Sequence, residues 1–113
     1  MDLDFFHKFE KSTEEIEAMG VLYAEAKAKS WYMQECRQSV LSSVISKLGE
    51  MPASKAERVA RNHPDYLAHL AETSEALKEE LIAKAKSDRA KADFEKIRSQ
   101  CSLEKSTRNQ IGE

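Results

Sequence analysis

Residues 64–103 read PDYLAHLAETSEALKEELIAKAKSDRAKADFEKIRSQCSL, and this stretch decides the fold. After Pro64 it contains neither Gly nor Pro, and its apolar residues recur at helical steps. Pro is favoured at the first position of a helix, so we predict one long helix over residues 64–104, followed by a frayed tail over 105–113. The predicted apolar seam of this helix consists of Leu67, Leu70, Leu77, Leu81, Ala83, Ala90, Phe94, Ile97 and Cys101.

The N-terminal part of the chain predicts a second long helix, over residues 3–48. Gly20 is the only residue there that disfavours a helix, and a single Gly weakens a helix without breaking it. Gly49 and Pro52 end this helix. A short helix over residues 54–62 follows, because Ser54 and Glu57 have the spacing of a capping box.

Blocks of charge indicate that the two long helices are antiparallel. Residues 1–26 hold two Lys against seven acidic residues, and residues 27–62 hold seven basic against three acidic residues. Residues 63–83 hold one Lys against five acidic residues, and residues 84–108 hold eight basic against four acidic residues. Folding the chain back at residues 49–63 places each block beside one of opposite sign. In the register that we predict, Phe94 and Ile97 lie opposite Ile16 and Met19, and Leu70 lies opposite Leu41 and Val44.

The predicted fold class is therefore all-α: an antiparallel hairpin of two long helices with a short connecting helix, in a single domain over residues 1–113. The first helix also carries a second apolar stripe. A short helix cannot cover a stripe of this length, so we predict a homodimer that assembles as a helical bundle. The alternative is a monomeric three-helix core that its aromatic residues cap. The candidate interface residues are Val21, Ala24, Ala28, Trp31 and Tyr32.

Nothing in the chain has the pattern of a catalytic or cofactor site, so we predict no enzymatic activity, no cofactor and no small-molecule ligand. Three Gly cannot build a phosphate-binding loop, and the Ser residues lack a paired base. His63, Asp65 and His69 form a metal-like grouping, but their spacing favours exposed residues at a helix start. No apolar run reaches the eighteen or so residues of a membrane span, so we predict cytoplasmic residence without membrane contact.

One basic stripe on the second long helix is a candidate surface for nucleic acid. Lys84, Lys91 and Arg98 recur at seven-residue spacing, Lys105 extends them, and Arg108 follows in the tail. Such a stripe can contact phosphates. The alternative is that it pairs with the acidic first helix or is only solvated, since no aromatic residue is interleaved for base stacking.

The second half of the chain resembles small helical accessory proteins of phages and prophages, which are often encoded beside recombination genes. Three segments carry the resemblance: His63-Pro64-Asp65-Tyr66, Phe94-Glu95-Lys96-Ile97-Arg98-Ser99 and Ser106-Thr107-Arg108. The resemblance implies an accessory role in phage DNA recombination or interference with a host factor, within the host cytoplasm. It also implies roles for Arg98, Ser99 and Arg108. The first helix has no counterpart in this family.

Three functional hypotheses follow from the sequence. The first is a non-catalytic phage accessory protein that acts through contacts with an unidentified protein partner, with DNA as a further ligand. The second is a nucleic-acid-binding helical module that uses the basic stripe. The third is a structural coiled-coil adaptor.

Overall fold

The computed structural model describes residues 3–111, which form four helices: α1 (Leu3–Glu35), α2 (Arg37–Lys47), α3 (Ala53–Arg61) and α4 (Pro64–Ile111). None of these residues lies in a strand, so the all-α prediction is confirmed. The chain divides into two compact units. Unit 1 comprises the described residues up to Ala24 and from Ile82 onwards, and unit 2 comprises residues 25–81.

Unit 2 has its apolar core where α2, α3 and the start of α4 meet. Leu41, Val44, Ala60 and Tyr66 are each at most 4% exposed, and Leu70 packs against them. The predicted proximity of Leu70 to Leu41 and Val44 is therefore confirmed. Ala60 has no exposed surface and belongs to the same cluster, so α3 packs against α2 and α4 at this point.

Contacts within unit 2 show the direction of its helices. Lys29 pairs with Glu79 at 3.4 Å, whereas Lys47 pairs with Asp65 at 3.3 Å. As the residue number on α1 and α2 rises from 29 to 47, the residue number of the ion-pair partner on α4 falls from 79 to 65. Within this unit, α4 is therefore antiparallel to α1 and α2, as the charge blocks predicted.

The predicted helix over residues 3–48 is wrong at one point, because Cys36 separates α1 from α2. Cys36 has ψ of −11°, whereas an α-helix has ψ near about −42°. Just before this break, the Met33 carbonyl accepts a hydrogen bond from His69 Nε2 at 3.0 Å. In an uninterrupted helix this carbonyl would accept a hydrogen bond from the Arg37 amide. His69 competes for that acceptor, which accounts for the interruption without Pro or Gly.

A heptad repeat relates the buried positions of the long helices, with positions a and d (in the lettering abcdefg) facing the partner helix. In unit 2 these positions on α4 are Tyr66, His69, Thr73, Ala76 and Glu80; in unit 1 they are Ala83, Ser87, Ala90, Phe94, Ile97, Cys101 and Glu104. On α1 they are Phe5, Phe9, Ser12, Ile16, Met19 and Tyr23 in unit 1, and Ala26, Ser30 and Met33 in unit 2.

The predicted seam of α4 is therefore correct from Ala83 to Cys101, and at Leu70, but wrong at the other three leucines before Ala83. Leu67, Leu77 and Leu81 are 48%, 38% and 65% exposed. The seam instead runs through small and polar residues such as Thr73 and Ala76, which let the helices approach closely. Hydrophobicity alone does not reveal such a seam.

The register predicted for Phe94 is also wrong. In unit 1 the Phe94 ring contacts the Phe9 ring edge-on, with 5.8 Å between centroids. The prediction had paired Phe94 and Ile97 with Ile16 and Met19. The charge blocks span more than twenty residues each and do not resolve a shift of two helical turns.

The ends of the helices agree with the local signals in most cases. α4 begins at Pro64, as predicted, and continues through residues 105–111, which we had assigned to a frayed tail. Residues 112 and 113 lie outside the described part of the chain. The capping box is wrong: Pro52 precedes α3 without a side-chain cap, and Glu57 pairs with Arg61 at 2.8 Å.

We predict that substitution by Ala has opposite effects on stability at Gly49, which follows α2, and at Gly20, which lies inside α1. Gly49 has φ of +78°, which L residues rarely adopt, so Gly49→Ala is expected to lower the free energy of unfolding by about 1–2 kcal/mol. Gly20 lies inside α1 with open space around it, so Gly20→Ala is expected to raise it by about 0.5–1 kcal/mol. Urea unfolding followed by circular dichroism measures both. Effects of the same sign would contradict this account.

Candidate functional site

The structure brings four of the six predicted nucleic-acid residues into one line. Lys84, Lys91, Arg98 and Lys105, the basic row, all take heptad position e of α4 in unit 1, and all are exposed. Ser99 lies two positions further round the helix, at heptad position f, and is also exposed. Arg108 returns to the seam side and pairs with Glu104 at 3.1 Å.

The basic row faces uncharged residues on α1. With Phe9 against Phe94, the e positions of α1 nearest the row are Phe6, Thr13 and Gly20. The row is therefore not neutralised by direct pairing across the seam. Within residues 3–111, its one ion pair is local: Arg98 to Glu95, at 3.5 Å, with both side chains more than 60% exposed.

The predicted interface residues are all exposed, in both units. In unit 1, Val21 is 51% exposed and Ala24 is also exposed. In unit 2, Ala28 is exposed and Trp31 and Tyr32 are each 63% exposed. The alternative placed these aromatic residues as caps of a core, and within the described part of the chain they do not cap one.

Tyr32 has a neighbour that Trp31 lacks. The pKa of Tyr32 is raised, chiefly because its side chain is hydrogen-bonded to that of Cys36 and also because negative charge on Cys36 would repel the phenolate. Cys36 lies at the break between α1 and α2 and forms no disulfide. Tyr32 therefore lies next to the break between α1 and α2, one helical turn before Cys36.

A buried polar layer in unit 2 is the feature that the sequence analysis missed. Ser30 is completely buried and its hydroxyl accepts a hydrogen bond from Gln34 Nε2 at 3.0 Å. His69 and Thr73 are each 9% exposed, and the Thr73 hydroxyl donates to the His69 carbonyl at 2.8 Å. We had predicted an exposed His69. Its carbonyl partner lies on another helix, so no local pattern reveals it.

This layer predicts a loss of stability when His69 is truncated. His69→Ala leaves the Met33 carbonyl without its partner and opens a cavity, so we expect a loss of about 1–3 kcal/mol in the free energy of unfolding. His7→Ala is the matched control, because His7 is exposed, and its effect should stay within about 0.5 kcal/mol. Equal urea midpoints for the two variants would show that the hydrogen bond contributes nothing.

The grouping of His63, Asp65 and His69 does not form a metal site in the described structure. The Asp65 amide donates to His63 Nδ1 at 3.1 Å, so that nitrogen is an acceptor, while His69 is directed to Met33. Over residues 3–111, no group of three or more His, Cys, Asp or Glu is placed to hold a metal ion.

One surface groove lies on the other side of unit 1 from the basic row. It combines acidic, basic and small residues with one large apolar residue, Ile97. Its lining residues are Lys8, Lys11, Ser12, Glu15, Ala90, Asp93 and Ile97.

None of the helices described for residues 3–111 has the length and apolar character needed to cross a membrane. Comparisons with protein-family models, with curated proteins and with solved structures found no match for this chain.

Proposed function

We propose that this protein is a non-catalytic helical interaction protein that self-associates through an apolar surface of unit 2. The observation that carries the proposal is Trp31, whose side chain is 63% exposed in the single chain. Trp is the residue most enriched among those that dominate binding energy at protein interfaces. An exposed indole in a helix without a packing partner is therefore best explained by a contact with another chain.

Exposed leucines of α4 extend this surface. Ser30 and Ala76 are buried seam residues, so Trp31 and Leu77 both emerge beside the seam. The Lys29–Glu79 ion pair marks the opposite side of the helix pair, at position g. We call the residues on the Trp31 side the apolar flank of unit 2: Trp31, Leu67, Leu77 and Leu81.

A second copy of unit 2 fits the apolar flank. A two-fold axis parallel to the helices places Trp31 of one copy over Leu77 and Leu81 of the other, and the reverse contact forms at the same time. Each copy then offers one protruding indole and one pair of leucines. Neighbouring helices across this contact are antiparallel, the common arrangement of four-helix bundles.

The size of the flank limits the affinity that it supports. From the exposed fractions, its side chains offer roughly 400 Å² of apolar surface per copy. A stable interface buries about 800 Å² per partner, so the flank alone supports a weak dimer. Further contact must come from other residues of the chain.

Sedimentation equilibrium of the wild-type chain tests the proposal. We expect the mass to rise with concentration from 12.8 kDa towards twice that value, with a dissociation constant of roughly 1–100 μM. A monomer up to millimolar concentration would overturn the proposal. The adaptor hypothesis uses the same self-association and adds a further partner; the phage setting stays a prediction of the resemblance.

Nucleic acid is the second candidate ligand, and the exposure of the basic row supports it. If the row binds phosphates, single- or double-stranded DNA should shift in electrophoresis at low salt, and the shift should weaken steeply as salt rises. Lys91→Glu combined with Arg98→Glu should then abolish the shift. Absence of a shift at low salt would eliminate this function.

A further inference from the structure

The two helices of unit 1 run in opposite directions. The Phe9 ring contacts the Phe94 ring. Burial continues after this contact on α1, where Ser12 is buried, and before it on α4, where Ala90 is buried. Residues that precede Phe9 on α1 are therefore level with residues that follow Phe94 on α4.

This direction places an exposed aromatic residue of α1 beside the basic row, which contains none itself. Phe6 takes position e of α1, on the side that faces the row, and is 55% exposed. At 1.5 Å per residue, it comes about 4.5 Å before Phe9, and Arg98 comes about 6 Å after Phe94. The side chains of Phe6 and Arg98 therefore leave the helix pair at nearly the same level.

The end of unit 1 around Phe6 concentrates positive charge. Residues 3–9 and 96–109 together hold five basic and two acidic residues. The remaining described residues of unit 1 hold five basic and seven acidic residues. The end that holds Phe6 therefore attracts anions, whereas the rest of the unit does not.

Lys105, the last residue of the basic row, is accessible to an anion at this end. Position b of α4 is uncharged on both sides of Lys105, at Ser102 and Asn109. A surface groove of about 470 Å³ also opens beside Lys105. Its lining residues are Cys101, Glu104, Lys105, Arg108 and Asn109. The Glu104 carboxylate among them is paired with Arg108 at 3.1 Å, so its charge is offset locally.

We propose that this end of unit 1 binds single-stranded nucleic acid, with one base stacked on Phe6 and phosphates held by Arg98 and Lys105. Every base has a π-face that stacks on an exposed aromatic ring, and cations beside the ring then hold the backbone. Arg98 and Lys105 are about 10.5 Å apart along α4, so they hold different phosphates of one strand. The Arg98–Glu95 ion pair is exposed and contributes little, so a phosphate can replace the carboxylate.

A duplex fits this end less well than a single strand. Its bases are already paired and stacked, so none of them presents a face to Phe6. Its second backbone would extend over the rest of unit 1, where acidic residues are in excess. A second copy of this end is repelled, because both copies carry the same excess of positive charge.

Fluorescence anisotropy of labelled oligothymidine, which does not pair with itself, tests the inference. The wild-type chain should bind this strand at low salt at least about fivefold more tightly than a duplex of the same length, because only the strand stacks on Phe6. Phe6→Ala should weaken binding of the strand by about fivefold or more and leave its salt dependence unchanged. Arg98→Ala combined with Lys105→Ala should reduce the slope of log affinity against log salt by about 1.4, since each phosphate contact contributes about 0.7.

Matched controls lie on the other side of α4, at position c. Leu103→Ala removes an apolar side chain that is 68% exposed, and Arg89→Ala combined with Lys96→Ala removes two exposed positive charges at the same seven-residue spacing. Both controls should bind oligothymidine like the wild type. If they weakened binding as much as the test variants, the loss would not be specific to this end and the inference would be wrong.

The other outcomes separate this inference, which specifies the ligand of the second candidate function, from the functions proposed above. Absence of binding to strand and duplex at low salt overturns the inference and the nucleic-acid function together. Equal binding of both forms, unaffected by Phe6→Ala, keeps the basic row as a phosphate-binding surface but overturns the inference. Thymidine monophosphate that competes as well as the strand also overturns it, because one nucleotide then satisfies the site. A monomeric wild type that binds oligothymidine overturns self-association and supports this inference.

Discussion

Tyr66→Ala should lower the free energy of unfolding by about 3–5 kcal/mol, the typical cost of truncating a buried aromatic residue. Tyr66 is 4% exposed and lies in one cluster with Leu41, Val44 and Ala60. These residues come from α2, α3 and α4. The ring therefore joins α4 to α2 and α3, and its loss removes both contacts.

Tyr32→Ala is the matched control for this prediction. It removes the same ring from a site that is 63% exposed, so its effect should stay within about 0.5–1 kcal/mol. Urea unfolding followed by far-ultraviolet circular dichroism, at a protein concentration below that of dimerisation, measures both variants. If Tyr66→Ala cost no more than Tyr32→Ala, the α2–α3–α4 cluster would not be the core of unit 2.

Trp31→Asp should raise the dissociation constant of the dimer by about thirtyfold or more, since an interface Trp commonly contributes 2 kcal/mol or more. The substitution removes the largest side chain of the apolar flank and places a charge against Leu77 and Leu81 of the other copy. The stability of the monomer should hardly change, because the indole makes few contacts within its own chain. The expected result is a folded chain that sediments as a monomer.

Leu103→Asp is the control for Trp31→Asp. Leu103 is 68% exposed, close to the 63% of Trp31, but it lies in unit 1 on the side of α4 away from the basic row. This variant should dimerise like wild type. If both variants weakened the dimer equally, a general loss of exposed apolar surface would explain the effect, and Trp31 would have no specific role.

The alignment of the basic row along one side of α4 was predictable, whereas the residues of α1 that face it were not. The seven-residue spacing of Lys84, Lys91 and Arg98 predicts that they share one side of a helix, because 3.6 residues per turn brings every seventh residue back to nearly the same side. Their surroundings did not follow from spacing. That Phe6, Thr13 and Gly20 face them depends on the register of two helices, and a shift of one heptad would bring different residues to these positions.

Local signals determined which segments are helical and where several of them end. Gly49 stops α2 through its positive φ, and Pro64 begins α4 because its missing N–H is not needed there. These effects act over a few residues and need no partner. Periodicity also predicted Phe94 and Ile97 as seam residues, since large apolar side chains determine which side of an amphipathic helix is buried.

Only the tertiary structure decided which side of α4 is buried in unit 2 and where α1 is interrupted. The leucines and the small residues of α4 define two competing seams. The helices bury Thr73 and Ala76 because small side chains allow a closer approach, which leaves Leu77 and Leu81 exposed. The break at Cys36 likewise depends on His69 reaching the Met33 carbonyl from another helix. Such choices depend on the shape of the partner surface, which a single helical pattern does not contain.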